Sequence, residues 1–122
     1  MGKAKSAAPQ LPAAGPIEEA NSVRLRGRVS GIAEPRDLPS GDQLRMIRVV
    51  VPRASTRGRP AGIDTIDVAC WSARTRRTAG LLAVGDGVAV SGALRRRFFR
   101  TPTGPASRYE VEAASLRRIA AP

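Results

Sequence analysis

Residues 22–32 read SVRLRGRVSGI and alternate between arginine and apolar or glycine positions. One row holds Val23, Leu25, Gly27 and Val29, and the other holds Arg24, Arg26 and Arg28. Successive side chains of a strand point to opposite faces, so this pattern predicts a half-buried strand with a cationic outer side. The glycine within the inner row indicates a bend or bulge, as closure of a small barrel requires.

Four further segments after this strand have strand-like composition and are separated by turn-rich stretches. They are QLRMIRVVVP (43–52), DTIDVACW (64–71), VAVSGALRRRFF (88–99) and RYEVEAASLRRI (108–119). Alternation predicts an inner row of Ile47, Val49, Val51, Ile66, Val68, Cys70, Val88, Val90, Gly92 and Leu94. It places Arg48, Thr65, Asp67, Trp71, Arg95, Arg97 and Phe99 outside, and Arg96 and Phe98 towards the interior or the barrel rim.

The segment SARTRRTAGLL (72–82) predicts a short helix that ends near Gly80. Five strands with one helix between the third and the fourth is the order of an OB-fold barrel, so we predict an all-β domain over residues 21–119. Residues 1–20 are rich in Ala and Pro and are expected to be a disordered tail. Residues 120–122 are expected to be a short end without an acidic tip.

The charge balance is strongly basic, with 21 Lys plus Arg against 10 Asp plus Glu and a net charge of +11. Lys3 and Lys5 are the only lysines, so nearly all of this charge is guanidinium, which binds phosphates through a fork of donors and stacks on bases. A polyanionic partner follows from this balance. A biased coding composition is the alternative origin of an Ala-, Gly- and Arg-rich chain.

The sequence offers no catalytic set. It contains no histidine, its one cysteine (Cys70) cannot form an internal disulfide or a zinc site, and no phosphate-cradling glycine motif precedes a helix. We therefore expect no enzyme, no metal and no cofactor. No apolar run reaches the roughly 18 residues of a membrane span, and a buried, inert thiol suits the cytoplasm, so we expect a cytoplasmic, nucleoid-associated protein.

From Asn21 to Ile119 the chain resembles the bacterial single-stranded DNA-binding protein family. The resemblance is carried by NSVRLRGRVSGI, PSGDQLRMIRVVV, DTIDVACW, GDGVAVSGALRRR and the final G-x-x-x-RYEVEA, in that order. It implies sequence-non-specific binding of single-stranded DNA in replication, recombination or repair. It also implies a homo-oligomer, a homotetramer or a dimer, whose interface we place on the first strand at Val23, Arg24, Leu25 and Arg26.

The resemblance also implies which residues contact DNA. Trp71 and Phe99 take the places of stacking aromatics, and the predicted arginine contacts are Arg36, Arg48, Arg53, Arg57, Arg59, Arg95, Arg96, Arg97 and Arg100. Where relatives often carry two further tryptophans, this chain has Ser55 and Thr65, which predicts weaker stacking. The sequence ends in SLRRIAAP and has no acidic tip, so we do not expect it to recruit other proteins through such a tip.

Several alternatives remain open from the sequence. Trp71 could pack beneath the helix, Phe98 could belong to the core, and the outward arginines of the first strand could face a partner subunit instead of DNA. A second function keeps the barrel but changes the role, namely a primosome-like OB-fold assembly protein that bridges nucleic acid and other proteins.

Overall fold

The structure, a computed structural model, describes residues 15–55, 57–59 and 62–122. Its elements are β1 (Val23–Ile32), β2 (Arg36–Asp37), β3 (Gln43–Pro52), β4 (Ile63–Cys70), α1 (Ala73–Leu81), β5 (Gly87–Thr101) and β6 (Gly104–Ala120). Most of the tail predicted over residues 1–20 lies outside the described residues. Residues 15–20 are exposed and have no regular secondary structure.

The five long strands close into a barrel. Neighbours follow the order β1-β5-β6-β4-β3-β2, and a further pairing of β1 with β3 closes the sheet. All of these pairings are antiparallel except the one between β4 and β6, where Val68 lies opposite Val111 and Ala69 lies opposite Glu112. The predicted all-β OB-fold with one short helix is therefore confirmed. The structure adds β2, which is too short to show a period in the sequence.

The core consists of the apolar rows that the alternation predicted. Ile47, Val49, Val68, Cys70, Val88 and Val90 are buried. Val23, Leu25, Val51 and Ile66 are partly buried and pack against this cluster. Complete burial of one such aliphatic side chain stabilises the fold by about 1.5–3 kcal/mol, so burial of these rows favours the closed barrel.

Two glycines allow strands to approach more closely than any side chain would permit. A Cβ atom on Gly27 would clash with the carbonyl oxygen of Val50, and one on Gly92 would clash with the carbonyl oxygen of Glu112. The ladder between β5 and β6 also shifts register between Ser91 and Gly92, which marks a bulge. The bend or bulge was predicted at Gly27, whereas the register shift in β1 lies between Val29 and Gly31, so Gly27 serves the close approach to Val50 instead.

The helix lies against β3, β4 and β6. Its N-cap is Ser72, whose side chain accepts a hydrogen bond from the backbone N–H of Thr75 at 3.1 Å. Thr75 and Ala79 form its buried side, and the helix ends at Leu81, one residue beyond the predicted end. Trp71 directly precedes this cap, so the cap fixes the backbone that carries the indole ring.

The fourth and fifth predicted strands are longer than expected, and this overturns two burial predictions. Leu94 is 46% exposed and Phe98 is 71% exposed, although Leu94 was placed in the inner row and Phe98 towards the interior or the barrel rim. Beyond Leu94, β5 and β6 leave the barrel as a two-stranded hairpin, so an inward-facing row there has no core to meet. The predicted turn over residues 100–107 is also shorter, because only Pro102 and Thr103 separate the two strands.

Candidate nucleic-acid interface

The hairpin beyond the barrel consists of residues 95–101 of β5 and 104–110 of β6, and it is termed the aromatic arm. Its strands pair antiparallel, with Arg97 opposite Arg108 and Arg96 opposite Tyr109. The tight turn at its tip relies on Gly104, whose φ of +129° is a conformation that other residues rarely adopt. Because no core covers the arm, both of its faces can present side chains to a ligand.

One face of the arm is organised around a buried carboxylate. The side chain of Glu110 has no exposed surface, and its Oε2 accepts a hydrogen bond from Nε of Arg97 at 3.0 Å. Its Oε1 lies 3.7 Å from Nε of Arg108 and has no hydrogen-bond partner in the described part of the chain. Glu110 thus separates two guanidinium groups that the strand register places directly opposite each other.

Each of these two guanidinium groups lies over an aromatic ring. The guanidinium carbon of Arg97 is 4.8 Å from the centroid of the Trp71 ring, and that of Arg108 is 5.6 Å from the centroid of the Phe99 ring. Both distances lie within the range of cation–π attraction. The face therefore presents two aromatic rings, each paired with an arginine that the same carboxylate anchors.

The opposite face of the arm carries a third group of the same kind. The guanidinium carbon of Arg96 lies 5.0 Å from the Phe98 ring centroid and 5.6 Å from the Tyr109 ring centroid. The Ser107 hydroxyl accepts hydrogen bonds from Nε and Nη2 of Arg96, at 3.3 and 3.1 Å, and holds the guanidinium in place. Both rings are largely exposed, so this face also offers stacking surface.

Phe99 and Trp71 differ in exposure. Phe99 is 40% exposed, which confirms that it lies outside the core. Trp71 is half-buried, and its backbone carbonyl accepts a hydrogen bond from Nη1 of Arg76 on α1. The indole ring is therefore attached to a fixed backbone between β4 and α1, and Arg97 covers one of its faces.

The predicted arginines on β3 and in the following loop fall into two groups. Arg53 donates two hydrogen bonds to Oδ1 of Asp64, at 3.0 and 2.8 Å, and Arg48 pairs with Asp67 at 3.2 Å. The hydrogen bond and the charge of Asp64 raise the pKa of Arg53. Arg57 and Arg59 are exposed and make no ion pair with another described residue.

The remaining predicted contacts lie in three places. Arg36 is exposed on β2, Arg100 is exposed near the arm tip, and Arg95 on the arm pairs with Glu112 at 3.2 Å. The structure thus brings Trp71, Phe99 and Arg97 together and leaves Arg36 apart on the short strand β2. The roles of all these residues in binding stay predictions.

Sequence reasoning missed Glu110, Arg108 and Tyr109. All three belong to RYEVE (108–112), where charged residues alternate with Tyr109 and Val111, a pattern that does not distinguish Glu110 from an ordinary outward, solvated carboxylate. Its burial depends on Arg97, Arg108 and the strand register. The available signal was the alternation of arginine and aromatic residues on both strands of one hairpin.

The predicted oligomer-interface residues lie on the first half of β1. Arg24 and Arg26 are exposed, and Val23 and Leu25 pack partly against the core. Residues 23–28 pair with β5, and the ladder between β1 and β3 begins only at Arg28. One backbone edge of residues 23–27 therefore has no partner strand in the described part of the chain.

Metal-binding clusters and membrane-spanning helices are both missing from the described part of the chain. The described residues contain no group of three or more His, Cys, Asp or Glu side chains that could hold a metal ion. Within the same part of the chain, no helix combines the length and apolar character needed to cross a membrane. The buried Cys70 has a pKa raised to about 11, chiefly by desolvation, so its thiol stays protonated at neutral pH.

Comparison with known proteins gives matches in one family and in solved structures. The sequence matches the model of the single-strand binding protein family over residues 20–119. No curated protein matches it. Among solved structures it is similar to an SSB of Plasmodium falciparum in complex with ssDNA, with a TM-score of 0.72, 18% identity and coverage of 84% of this chain and 96% of that one.

It is also similar to a small single-stranded DNA-binding protein from Streptomyces coelicolor. Here the TM-score is 0.60 and the identity is 20%, over 80% of this chain and 93% of that one. At such low identities the two structures show a shared fold alone. The relationship by sequence rests on the family model, which matches most of the chain.

Proposed function

Because the chain belongs to the single-strand binding protein family, we propose that it binds single-stranded DNA through the aromatic arm and Trp71, without reading the base sequence. The observation that carries this assignment is the pair of arginine–aromatic contacts, Arg97 on Trp71 and Arg108 on Phe99, on one face of the arm. Every base has a π-face, so stacking on such rings tolerates any sequence.

Binding proceeds by exchange of partners on the rings. An exposed cation–π contact is worth about 0.5–1 kcal/mol, whereas a base stacked on an aromatic side chain is worth about 1–3 kcal/mol. A base therefore displaces the guanidinium of Arg97 from Trp71, and that guanidinium turns to the neighbouring phosphate. The hydrogen bond from Nε of Arg97 to Glu110 persists, so the guanidinium stays close to the ring. Its other donors are free to bind the phosphate.

Arginines outside the arm contribute by charge. Arg57, Arg59 and Arg100 have no carboxylate partner among the described residues and can donate hydrogen bonds to phosphates directly. Arg48 and Arg53 must first give up Asp67 and Asp64, but exposed ion pairs are worth only about 0–1 kcal/mol, so phosphates can compete for them. Each neutralised phosphate adds roughly 0.7 to the slope of log affinity against log salt.

We further propose that the protein assembles as a homo-oligomer, a dimer or a homotetramer, through the open edge of β1 at residues 23–27. Pairing this edge with a second copy covers backbone N–H and C=O groups that have no partner strand among the described residues. Replication, recombination or repair of cytoplasmic, nucleoid-associated DNA is the setting we propose. The family binds DNA without chemistry, so we assign no reaction and no cofactor.

Fluorescence titration tests the proposed function, since Trp71 is the one tryptophan of the chain. Oligothymidine should quench its emission, and rising salt should weaken the complex. Duplex DNA and RNA of equal length serve as competitors. Absence of quenching and of binding at low salt contradicts the proposal. Equal affinity for duplex DNA also contradicts it, because that result would reduce the interaction to charge attraction and favour the assembly-protein alternative.

A further inference from the structure

A groove of about 620 Å³ lies on the outer face of the sheet formed by β1, β5 and β6. Its charged walls are Arg24, Arg26 and Arg117, and the small side chains of Ala89, Ser91 and Ser115 lie between them. We term these six residues the arginine trough. They take no part in the aromatic arm, and no binding role for Arg117 followed from the sequence.

The strand register explains why a concavity forms here. β5 lies between β1 and β6, so Ala89 stands between Arg26 and Arg117, and Ser91 stands between Arg24 and Ser115. The hydroxyls of Ser91 and Ser115 hydrogen-bond to each other and form a low floor. Arg26 and Arg117 are two strand spacings apart, about 10 Å, which leaves room for an anion between their long side chains.

The three arginines of the trough lack counter-charges. Within residues 15–55, 57–59 and 62–122, none of them makes an ion pair or a side-chain hydrogen bond, whereas Arg95, Arg97, Arg108 and Arg118 each pair with a carboxylate. Three exposed guanidinium groups around one groove repel each other until an anion enters. A second copy docked face to face would bring the same three arginines against themselves, so a polyanion fits this face better.

The trough is also continuous with the aromatic arm. A second hollow of about 400 Å³ extends along β5 from Arg95 to Ser91, and Ser91 also lines the trough. Ala89, Ser91, Arg95 and Arg97 all project from the outer side of β5, where their neighbours on β6 include Glu110 and Glu112. At roughly 3.3 Å per residue, Ser91 and Ala89 of the trough lie about 20 and 26 Å from Arg97 along the strand.

We propose that single-stranded DNA continues from the aromatic arm along β5 and that its phosphates bind the arginine trough as a second anchoring point. The assignment rests on the proposed function, because it takes the arm as the first point of contact. The trough has no aromatic side chain, so it holds the sugar–phosphate backbone and contributes charge without stacking. Its effect appears only with strands long enough to reach it.

The test compares the double variant Arg26→Gln/Arg117→Gln with the control Arg74→Gln/Arg77→Gln. The control removes the same charge from two exposed helix arginines that have no ion pair with a described residue. Trp71 emission is titrated with an oligothymidine of about 4 nucleotides, which is at the short end of the range that one OB fold covers and, at roughly 3.4 Å per nucleotide, cannot join the arm to the trough. It is titrated separately with an oligothymidine of about 35 nucleotides. Solution mass is measured for each protein without DNA.

The trough variant should bind the short strand as the control variant does and the long strand roughly tenfold more weakly, because two charge-assisted contacts are lost. Its salt slope with the long strand should fall by about 1.4 relative to the control, or 0.7 per phosphate. Equal behaviour of the two variants on the long strand overturns the inference. So does a change of mass confined to the trough variant, which would assign these arginines to a contact between copies. Failure of the wild-type protein to bind either strand contradicts the proposed function instead.

Discussion

The guanidinium carbon of Arg97 lies 4.8 Å from the centroid of the Trp71 ring. The two residues come from different parts of the chain, one from the arm strand β5 and the other from the junction of β4 and α1. Arg97 is held in turn by the buried carboxylate of Glu110. The contact therefore joins the arm to the barrel, and it places the indole ring beside the arginine for which we propose phosphate binding.

Loss of the indole ring should weaken binding without changing its salt dependence. Trp71→Ala should lose about 1–3 kcal/mol of binding free energy, because one stacking surface disappears. Trp71→Phe should recover most of it. Anisotropy of a labelled oligothymidine, measured over a range of salt concentrations, gives both the affinity and the slope.

Arg97→Gln is the matched charge variant for that experiment. It should lower the salt slope by about 0.7, because one phosphate contact is lost, and it should preserve Trp71 quenching at saturation. If Trp71→Ala instead changes the slope and Arg97→Gln does not, the roles assigned to stacking and charge are reversed.

Removal of the buried carboxylate should destabilise the fold. Breaking a fully buried ion pair costs about 3–5 kcal/mol, but Arg97 and Arg108 keep 34% and 46% of their side-chain surface exposed and can turn to water. We therefore expect Glu110→Leu to lower the free energy of unfolding by about 1–3 kcal/mol. Urea denaturation followed by Trp71 emission measures this change.

Glu112→Leu provides the control, since its ion pair with Arg95 is exposed on both sides and should contribute no more than about 1 kcal/mol. Similar losses of unfolding free energy in the two variants would mean that the buried Glu110 stabilises the arm no more than the exposed Glu112 does. A loss confined to Glu110→Leu supports a carboxylate that holds two like charges apart.

Gly92→Ala should be more damaging than its size suggests. The added methyl group would meet the carbonyl of Glu112, which is backbone and cannot rotate away. Overpacking of this kind costs about 1–3 kcal/mol. Gly31→Ala is the control, because the nearest atom to a Cβ there is Cβ of Arg48 at 3.9 Å. Thermal unfolding should separate the two variants, and equal melting temperatures would contradict the close approach of β5 to β6.

The barrel itself was predictable because its inner rows meet a single core. Val88 and Val90 on β5 and Ile47 and Val49 on β3 are buried, as period-two alternation requires. The same rule failed at Leu94 and Phe98 because the strand continues past the barrel, where neither face meets a core. A strand's pattern shows which residues share a face but does not show where the opposing layer ends.

The centre of the candidate site was only partly predictable for a different reason. Trp71, Phe99 and Arg97 could be placed outside by parity and by resemblance to a family. Glu110 could not be singled out, because its burial depends on Arg97, Arg108 and a register that links positions far apart in sequence. The arginine trough was hidden likewise, since Arg26 and Arg117 become neighbours only across β5.

The buried thiol of Cys70 should make the folded protein less stable at alkaline pH. Desolvation raises its pKa from 9.0 to about 11 in the folded protein, so the unfolded chain releases this proton first as the pH rises. The stabilising contribution of the neutral thiol is therefore complete below pH 9 and is lost progressively between about pH 9 and 11, by up to roughly 2 kcal/mol. Urea unfolding across this range should show a steeper decline for the wild-type protein than for Cys70→Ala, whose constant packing defect cancels when the two pH profiles are compared.

The native thiol should also resist a disulfide reagent at pH 8, because the thiolate is the species that reacts. Parallel pH profiles together with rapid modification of the native protein would mean that Cys70 is accessible and ionised, contrary to its burial.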